Sequence, residues 1–116
     1  MKVLSLFDGI SCGMLALQRA GIPVECYDAF EIDKYAVTVS KRNFPVIVHH
    51  GNVYDGDFTQ FKGYDLLLGG SPCTYWSIAK KDREIDCNGE GFRLFQEYVR
   101  ALEESGCQYF LYENNY

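Results

Sequence analysis

The chain has 116 residues, of which 47% are hydrophobic and 23% are charged. This length predicts one domain, and this composition excludes an intrinsically disordered chain, because enough apolar side chains are present to form a buried core. The net charge of −5 excludes a protein whose overall positive field attracts nucleic acid, so nucleic-acid contact would need a local surface or a second chain.

Neither the N-terminus nor the cysteines indicate a secreted or metal-binding protein. The opening segment MKVLSLFD has too few apolar residues before its first acid to form the hydrophobic part of a signal peptide. No apolar run reaches the ~18 residues of a membrane span. Five cysteines occur without a C-x-x-C pair, so neither a disulfide framework nor a metal site is predicted. We therefore expect a cytoplasmic protein, or a nuclear one if the source is eukaryotic, without membrane contact.

Short β-prone runs alternate with helical patterns along the whole chain. Strands are predicted over residues 2–7, 24–30, 46–48, 64–68 and 109–112. Helices are predicted over residues 14–20, 34–43 and 92–105, with Asp33 as a candidate N-cap of the second. This alternation is typical of βαβ units in a parallel sheet, so the predicted fold class is α/β with five strands. The charged segment 77–91 is expected to form a surface loop.

Residues that follow the first two predicted strands suit a nucleotide-like ligand, because open α/β sheets bind ligands at the carboxyl ends of their strands. The segment FDGISCG at 7–13 opens a helix, and its glycines let a ligand approach the backbone. An ordinary strand-to-helix turn is the alternative. Glu31 follows the second strand about 20 residues after Gly9, where nucleotide sites place an acid that accepts from ribose hydroxyls.

Two further strand ends supply candidate contacts to an adenine ring. Ile32, next to Glu31, is a candidate to pack on the face of the ring, and its alternative is an ordinary core position. Asn52 and Val53 follow the third strand, where a short amide can hydrogen-bond the edge of the ring. The alternative for Asn52 is an Asx turn.

The last two strand ends carry a candidate nucleophile and a candidate acid. The segment GGSPC at 69–73 holds Cys73 in a proline-containing loop at the tip of the fourth strand. Most cysteines are buried and inert, but a thiol at the mouth of a sheet is where an activated nucleophile would sit. Glu113 follows the fifth strand at the same edge, and its carboxyl group suits protonation of a ring nitrogen. A solvated carboxylate is the alternative for Glu113.

Taken together, these segments resemble the N-terminal part of the catalytic domain of the DNA cytosine-C5 methyltransferases. The resemblance lies in five motifs in family order: LFDGISxGxL at 6–15, EIDKYA at 31–36, GNV at 51–53, GSPCxxxS at 70–77 and YEN at 112–114. It implies a Rossmann-like S-adenosyl-L-methionine-dependent methyltransferase fold that is incomplete at the C-terminus. Residues 1–116 would then form the cofactor-binding part, without a target recognition domain.

The same resemblance implies roles for individual residues. The cofactor pocket would be lined by Phe7, Gly9, Ile10, Glu31, Ile32, Asn52, Val53 and Pro72. The substrate would be a cytosine flipped out of DNA, with Cys73 adding to C6 and Glu113 holding or protonating N3. Three residues depart from the family pattern: Asn52 where aspartate is usual, Thr74 where glutamine is common, and Asn115 where an apolar residue is usual.

The expected function is transfer of a methyl group from S-adenosyl-L-methionine to C5 of cytosine in DNA. A complementing C-terminal chain is an expected partner, because no arginine-containing motif follows Glu113. Two alternatives stay open: a tRNA cytosine-C5 methyltransferase, which resembles the DNA enzymes in the same motifs, and a noncatalytic cofactor-binding remnant or subunit. The loop with Lys80, Lys81 and Arg83 would close on DNA in such enzymes, and a solvated loop is its alternative.

Overall fold

Five strands and three helices form the part of the chain that the computed structural model describes, residues 1–71 and 89–114. The strands are β1 (Lys2–Leu6), β2 (Cys26–Phe30), β3 (Val48–His49), β4 (Leu66–Gly69) and β5 (Tyr109–Tyr112). The helices are α1 (Cys12–Arg19), α2 (Lys34–Asn43) and α3 (Glu90–Ser105), and 3₁₀ turns cover Val53–Asp55 and Phe58–Phe61. The predicted α/β fold with five strands is confirmed.

The strands form one sheet in the order β3-β2-β1-β4-β5, and each neighbouring pair is parallel. The chain builds outward from β1 through β2 to β3 and then crosses to β4 on the other side of β1. The strand order therefore reverses between β1 and β4. In open α/β sheets a ligand site lies outside the carboxyl ends of the strands at such a reversal.

Several element boundaries differ from the predicted ones. Helix α2 and strand β5 match their predicted bounds, and the Asp33 side chain caps α2 by accepting from the backbone N–H groups of Tyr35 and Ala36. Strand β3 lies two residues later than predicted at its start, because the Ile47 N–H donates to the Phe44 carbonyl in a turn. Helices α1 and α3 each begin two residues earlier than predicted. Of the predicted loop 77–91, residues 77–88 lie outside the described residues and Glu90 begins α3.

Strand side chains alternate between the two faces of the sheet, and both faces of its central strands are buried, whereas Tyr109, Phe110 and Leu111 of β5 are exposed. One core cluster packs against α1 and contains Val3, Met14, Leu17, Tyr27, Ala29 and Ile47. The other packs against α3 and the 3₁₀ turns and contains Leu4, Leu6, Phe30, Val53, Phe58, Phe61, Leu67, Tyr98, Ala101 and Cys107. The central strands are thus held in place by packing on both faces. Among the helices that the structure describes, none combines the length and apolar content of a membrane crossing.

Candidate functional site

The turn after β1 is joined to the end of β2. The Asp8 N–H donates to the Phe30 carbonyl over 3.2 Å, and the Gly9 N–H donates to Glu31 Oε1 over 2.8 Å. Glu31 Oε2 accepts from the N–H groups of the next two residues, Ile32 and Asp33, over 3.0 and 2.9 Å. Three backbone N–H groups therefore fix the orientation of the Glu31 carboxylate.

A cavity of about 200 Å³ opens beside this carboxylate. Five of the eight residues predicted for a cofactor pocket line it: Phe7, Glu31, Ile32, Asn52 and Val53. The core alternative for Ile32 is wrong, because its side chain is 73% exposed. Gly9 does not line the cavity and is connected to it only through its hydrogen bond to Glu31, whereas Ile10 lines a different cavity with Cys12 and Leu15. The cofactor role of Ile10 stays a prediction.

Asn52 caps a turn at the wall of the cavity. Its Oδ1 accepts from the Tyr54 N–H over 3.0 Å, at the start of the 3₁₀ turn Val53–Asp55. The Asx-turn interpretation of Asn52 is therefore confirmed. The carbonyl oxygen has a second lone pair and the side-chain NH₂ has two donors, so the contact of Asn52 with an adenine edge stays a prediction.

Sequence reasoning missed five residues of the same cavity: Phe30, Gly51, Tyr54, Glu90 and Leu94. The Tyr54 hydroxyl donates to Glu90 Oε1 over 2.6 Å and so connects the turn after β3 with the first turn of α3. Burial, and then this hydrogen bond, raise the pKa of Tyr54 to about 12. Glu90 and Leu94 are four residues apart and therefore share one helix face. This spacing would have identified them if α3 had been predicted to begin at Glu90.

A second cavity, of about 180 Å³, lies beside the first at the same edge of the sheet. Phe7 lines both cavities, and Glu113 lines the second together with Asp8, Gly13, Gly69 and others. Glu113 and the predicted cofactor residues therefore line two adjacent cavities at the carboxyl ends of the strands, and Phe7 lies between the two cavities.

The end of β4 is tied to the end of β5 through hydroxyl and amide groups. The buried Ser71 Oγ lies 2.5 Å from the Tyr112 hydroxyl. Asn114 Nδ2 donates to Ser71 Oγ over 3.2 Å and to the Tyr112 hydroxyl over 3.1 Å. This contact needs a glycine at position 70, because a Cβ there would lie 2.4 Å from the Glu113 carbonyl oxygen. The backbone before the Pro72-Cys73 pair and the residue after Glu113 are thus held together.

Several predicted residues lie outside the described residues. They are Pro72, Cys73, Thr74, Lys80, Lys81, Arg83 and Asn115. Their predicted roles in cofactor binding, nucleophilic attack and loop closure stay predictions.

His49 at the end of β3 is expected to make folding pH-dependent. Its Nε2 lies 3.4 Å from Ser40 Oγ, and its Nδ1 is buried without a hydrogen-bond partner within residues 1–71 and 89–114. Burial, and then the nearby Lys41, lower the pKa of His49; His50 acts in the same direction and Asp8 in the opposite one.

A lowered histidine pKa means that the unfolded chain binds more protons than the folded chain just below about pH 6.5. The free energy of unfolding should therefore fall as the pH drops from 7.5 to 5.5, as measured by urea denaturation. In the His49→Gln variant, which cannot take up the proton, this fall should be smaller. An identical fall in both proteins would contradict the assignment to His49.

Comparison with known proteins gives one family and several relatives. The family model described as C-5 cytosine-specific DNA methylase matches residues 1–115. The orphan methyltransferase M.SPRI of Bacillus phage SPR is 37% identical over 98% of this chain and 26% of its own length. The type II methyltransferase M.HgiCII of Herpetosiphon aurantiacus is 33% identical over 97% of this chain and 25% of its own length. The chain thus spans about a quarter of the length of these curated relatives.

Solved structures agree on the fold. The structure of a Spodoptera frugiperda DNMT2 mutant matches with a TM-score of 0.73 and 26% identity, over 97% of this chain and 35% of that one. The Dnmt2 methyltransferase of S. pombe matches with a TM-score of 0.72 and 19% identity, over 98% of this chain and 33% of that one. The parallel α/β sheet is therefore a Rossmann-like methyltransferase fold.

Proposed function

Because the chain belongs to the C-5 cytosine-specific DNA methylase family, we propose that it forms the cofactor-binding and catalytic part of an enzyme that methylates C5 of cytosine in DNA. One observation carries the proposal. The cavity beside Glu31 and the cavity lined by Glu113 lie at one edge of the sheet and share Phe7. A cofactor and the carboxyl group of Glu113 can therefore be held next to each other.

The residues around the first cavity fit S-adenosyl-L-methionine. A ribose needs hydrogen-bond acceptors for its hydroxyls, and the Glu31 carboxylate offers about four acceptor sites, of which backbone N–H groups fill three. A purine needs apolar walls, which Ile32, Val53 and Leu94 supply. When bound, the cofactor supplies an electrophilic methyl group. Glu31 would orient the ribose, and Ile32 and Asn52 would contact the purine.

Cys73 and Glu113 would perform the chemistry on the base. Cytosine C6 is out of reach inside a duplex, so the base is flipped out of the stack. The Cys73 thiolate forms a bond to C6 while Glu113 holds or protonates N3, and the electron density gained by C5 makes that carbon nucleophilic. After methylation, C5 loses its proton to solvent water, the electron pair of that C–H bond forms the C5–C6 double bond, and the Cys73–C6 bond breaks and returns the thiolate. Asn114 supports this role of Glu113 by fixing the end of β5 against Ser71.

The proposed reaction needs two partners: a cytosine flipped out of DNA, and a polypeptide region that binds the DNA. The relatives are about four times as long as this chain. We propose that polypeptide corresponding to their unmatched length, in the same chain or in a complementing one, supplies the contacts to DNA.

Substitution of Glu31 by alanine is expected to weaken S-adenosyl-L-methionine binding. Charge-assisted hydrogen bonds contribute roughly 1.5–3 kcal/mol, so the Kd should rise about 10- to 100-fold in calorimetric titration. Glu25→Ala is the matched control, because Glu25 is an exposed acid that pairs with the N-terminal amine. Equal affinity in the Glu31→Ala variant and the parent would reject the assignment of Glu31, and a parent that does not bind would reject the cofactor.

A further inference from the structure

The turn that carries Phe7 and Gly9 has an unusual backbone. Phe7 and Ser11 have φ angles of 55° and 70°, and Gly9 has a φ of 61°. Residues with a Cβ seldom adopt this left-handed region and do so only where surrounding contacts hold them there. The conformation of residues 7–11 therefore needs support from outside the turn.

The Asp8 carboxylate provides that support by accepting three hydroxyl hydrogen bonds. Its Oδ1 accepts from Ser5 Oγ and from the Tyr27 hydroxyl, each over 2.6 Å. Its Oδ2 accepts from Ser11 Oγ. The three donors are buried, with exposures of 4%, 2% and 0% for Ser5, Tyr27 and Ser11. Asp8 thus connects the middle of its own turn with β1, with β2 and with Ser11, the residue before α1.

The hydroxyl network continues away from the cavity. Ser11 Oγ lies 2.5 Å from Ser40 Oγ on α2, and Ser40 Oγ lies 3.4 Å from His49 Nε2 on β3. Since Ser11 donates its single hydroxyl hydrogen to Asp8, Ser40 donates to Ser11 and His49 to Ser40. Each group in this series has one role, so the network fixes one arrangement of the turn.

Tyr27 reaches Asp8 only because position 13 lacks a side chain. A Cβ at Gly13 would lie 2.9 Å from the Tyr27 hydroxyl oxygen and 3.0 Å from Leu68 Cδ1. Burial and the neighbouring Asp8 carboxylate raise the pKa of Tyr27 well above its ordinary value. The hydroxyl therefore keeps its proton at neutral pH and is available as a hydrogen-bond donor.

We propose that Asp8 is a positioning residue: with its three hydroxyl donors it holds residues 7–11 in the conformation in which Phe7 lines the cavity and the Gly9 N–H orients Glu31. This inference rests on the proposed function of the cavity. If the turn leaves this conformation for part of the time, apparent cofactor affinity falls in proportion to the fraction of competent molecules.

The test compares two tyrosines on opposite faces of the sheet, each of which donates a hydroxyl hydrogen bond to an aspartate. Tyr27→Phe removes a donor to Asp8. Tyr64→Phe is the matched control, because Tyr64 donates to Asp28, a buried carboxylate outside the cavity wall. Ser5→Ala, which removes a second donor to Asp8 with a smaller change of volume, covers the case in which Tyr27→Phe does not fold.

Two measurements on the full chain decide the outcome. In the absence of cofactor, amide hydrogen exchange at Asp8, Gly9 and Ser11 should become faster in Tyr27→Phe and Ser5→Ala and stay unchanged in Tyr64→Phe. In calorimetric titration with S-adenosyl-L-methionine, the Kd should rise roughly tenfold in Tyr27→Phe, which is the lower end for a hydrogen bond to a charged group. The Kd of Tyr64→Phe should equal that of the parent.

Unchanged exchange of the turn in Tyr27→Phe and Ser5→Ala would overturn the positioning role of Asp8. Equal acceleration in Tyr64→Phe would also overturn it, because the effect would then be general destabilisation. A parent that shows no cofactor binding would reject the proposed function of the cavity, and the exchange measurement would still decide the inference about Asp8.

Discussion

Replacement of Cys73 by serine is expected to abolish covalent trapping of DNA that contains 5-fluorocytosine. The experiment uses the chain fused to the C-terminal region of a family relative, which supplies DNA contacts. With fluorine in place of hydrogen at C5, there is no proton to lose in the last step. The bond between C6 and the nucleophile therefore persists, and the adduct survives a denaturing gel. A thiol with a reference pKa of about 8.5 ionises far more readily near neutral pH than a serine hydroxyl does, so the adduct should disappear.

Cys12→Ser is the matched control for this experiment, because Cys12 is an exposed cysteine on α1, and it should trap DNA like the parent. Glu113→Gln should slow trapping without changing cofactor affinity, since an amide keeps the shape but cannot give a proton to N3. Trapping by Cys73→Ser would mean that another group is the nucleophile. Trapping of RNA and not DNA would keep the chemistry and replace the proposed substrate.

Substitution of Gly70 by alanine is expected to destabilise the fold and to separate the two predicted catalytic segments. The added Cβ would lie 2.4 Å from the Glu113 carbonyl oxygen and 2.8 Å from Glu113 Oε2. The backbone oxygen cannot swing aside as a flexible side chain would, so β4 and β5 must move apart at their ends. Overpacking of this kind costs about 1–3 kcal/mol in free energy of unfolding.

Urea denaturation checks this expectation, with Gly51→Ala as the control, because a Cβ at Gly51 meets nothing within 4 Å. The control should stay within about 0.5 kcal/mol of the parent. The Gly70→Ala variant should also weaken the contact between Ser71 and Asn114 and so reduce trapping of 5-fluorocytosine DNA. Equal urea midpoints of unfolding for the parent and Gly70→Ala would show that stability does not depend on the close approach of Gly70 to Glu113.

The sequence predicted the parts of the fold and site that depend on local pattern or on the geometry of parallel sheets. The helical spacing of α2 and the cap at Asp33 are local, and the predicted bounds agree with the observed ones. Glu31 and Asn52 were predicted to lie at one edge because parallel strands end there, and Phe7 was implied by the family resemblance. That rule holds even where strand bounds are wrong by two residues, as they are for β3.

Residues that act through contacts between distant segments could not be predicted. Tyr54 meets Glu90 across 36 positions of sequence, and Ser71 meets Tyr112 across 41. A serine or tyrosine in a strand or turn has no pattern that reveals which carboxylate its hydroxyl will reach. The role of Gly70 is equally hidden, since the sequence does not show which backbone passes beside it.

Because Gly13 lies close to the Tyr27 hydroxyl, the residue at position 27 limits the size of the residue that evolution can place at position 13. With 2.9 Å between a Cβ at position 13 and the hydroxyl oxygen, tyrosine at position 27 restricts position 13 to glycine. A chain with a smaller residue at position 27 could accept alanine or serine at position 13, but it would lose a hydroxyl donor to Asp8. Relatives with tyrosine at position 27 should therefore keep glycine at position 13, and libraries that randomise position 13 alone should yield few folded members.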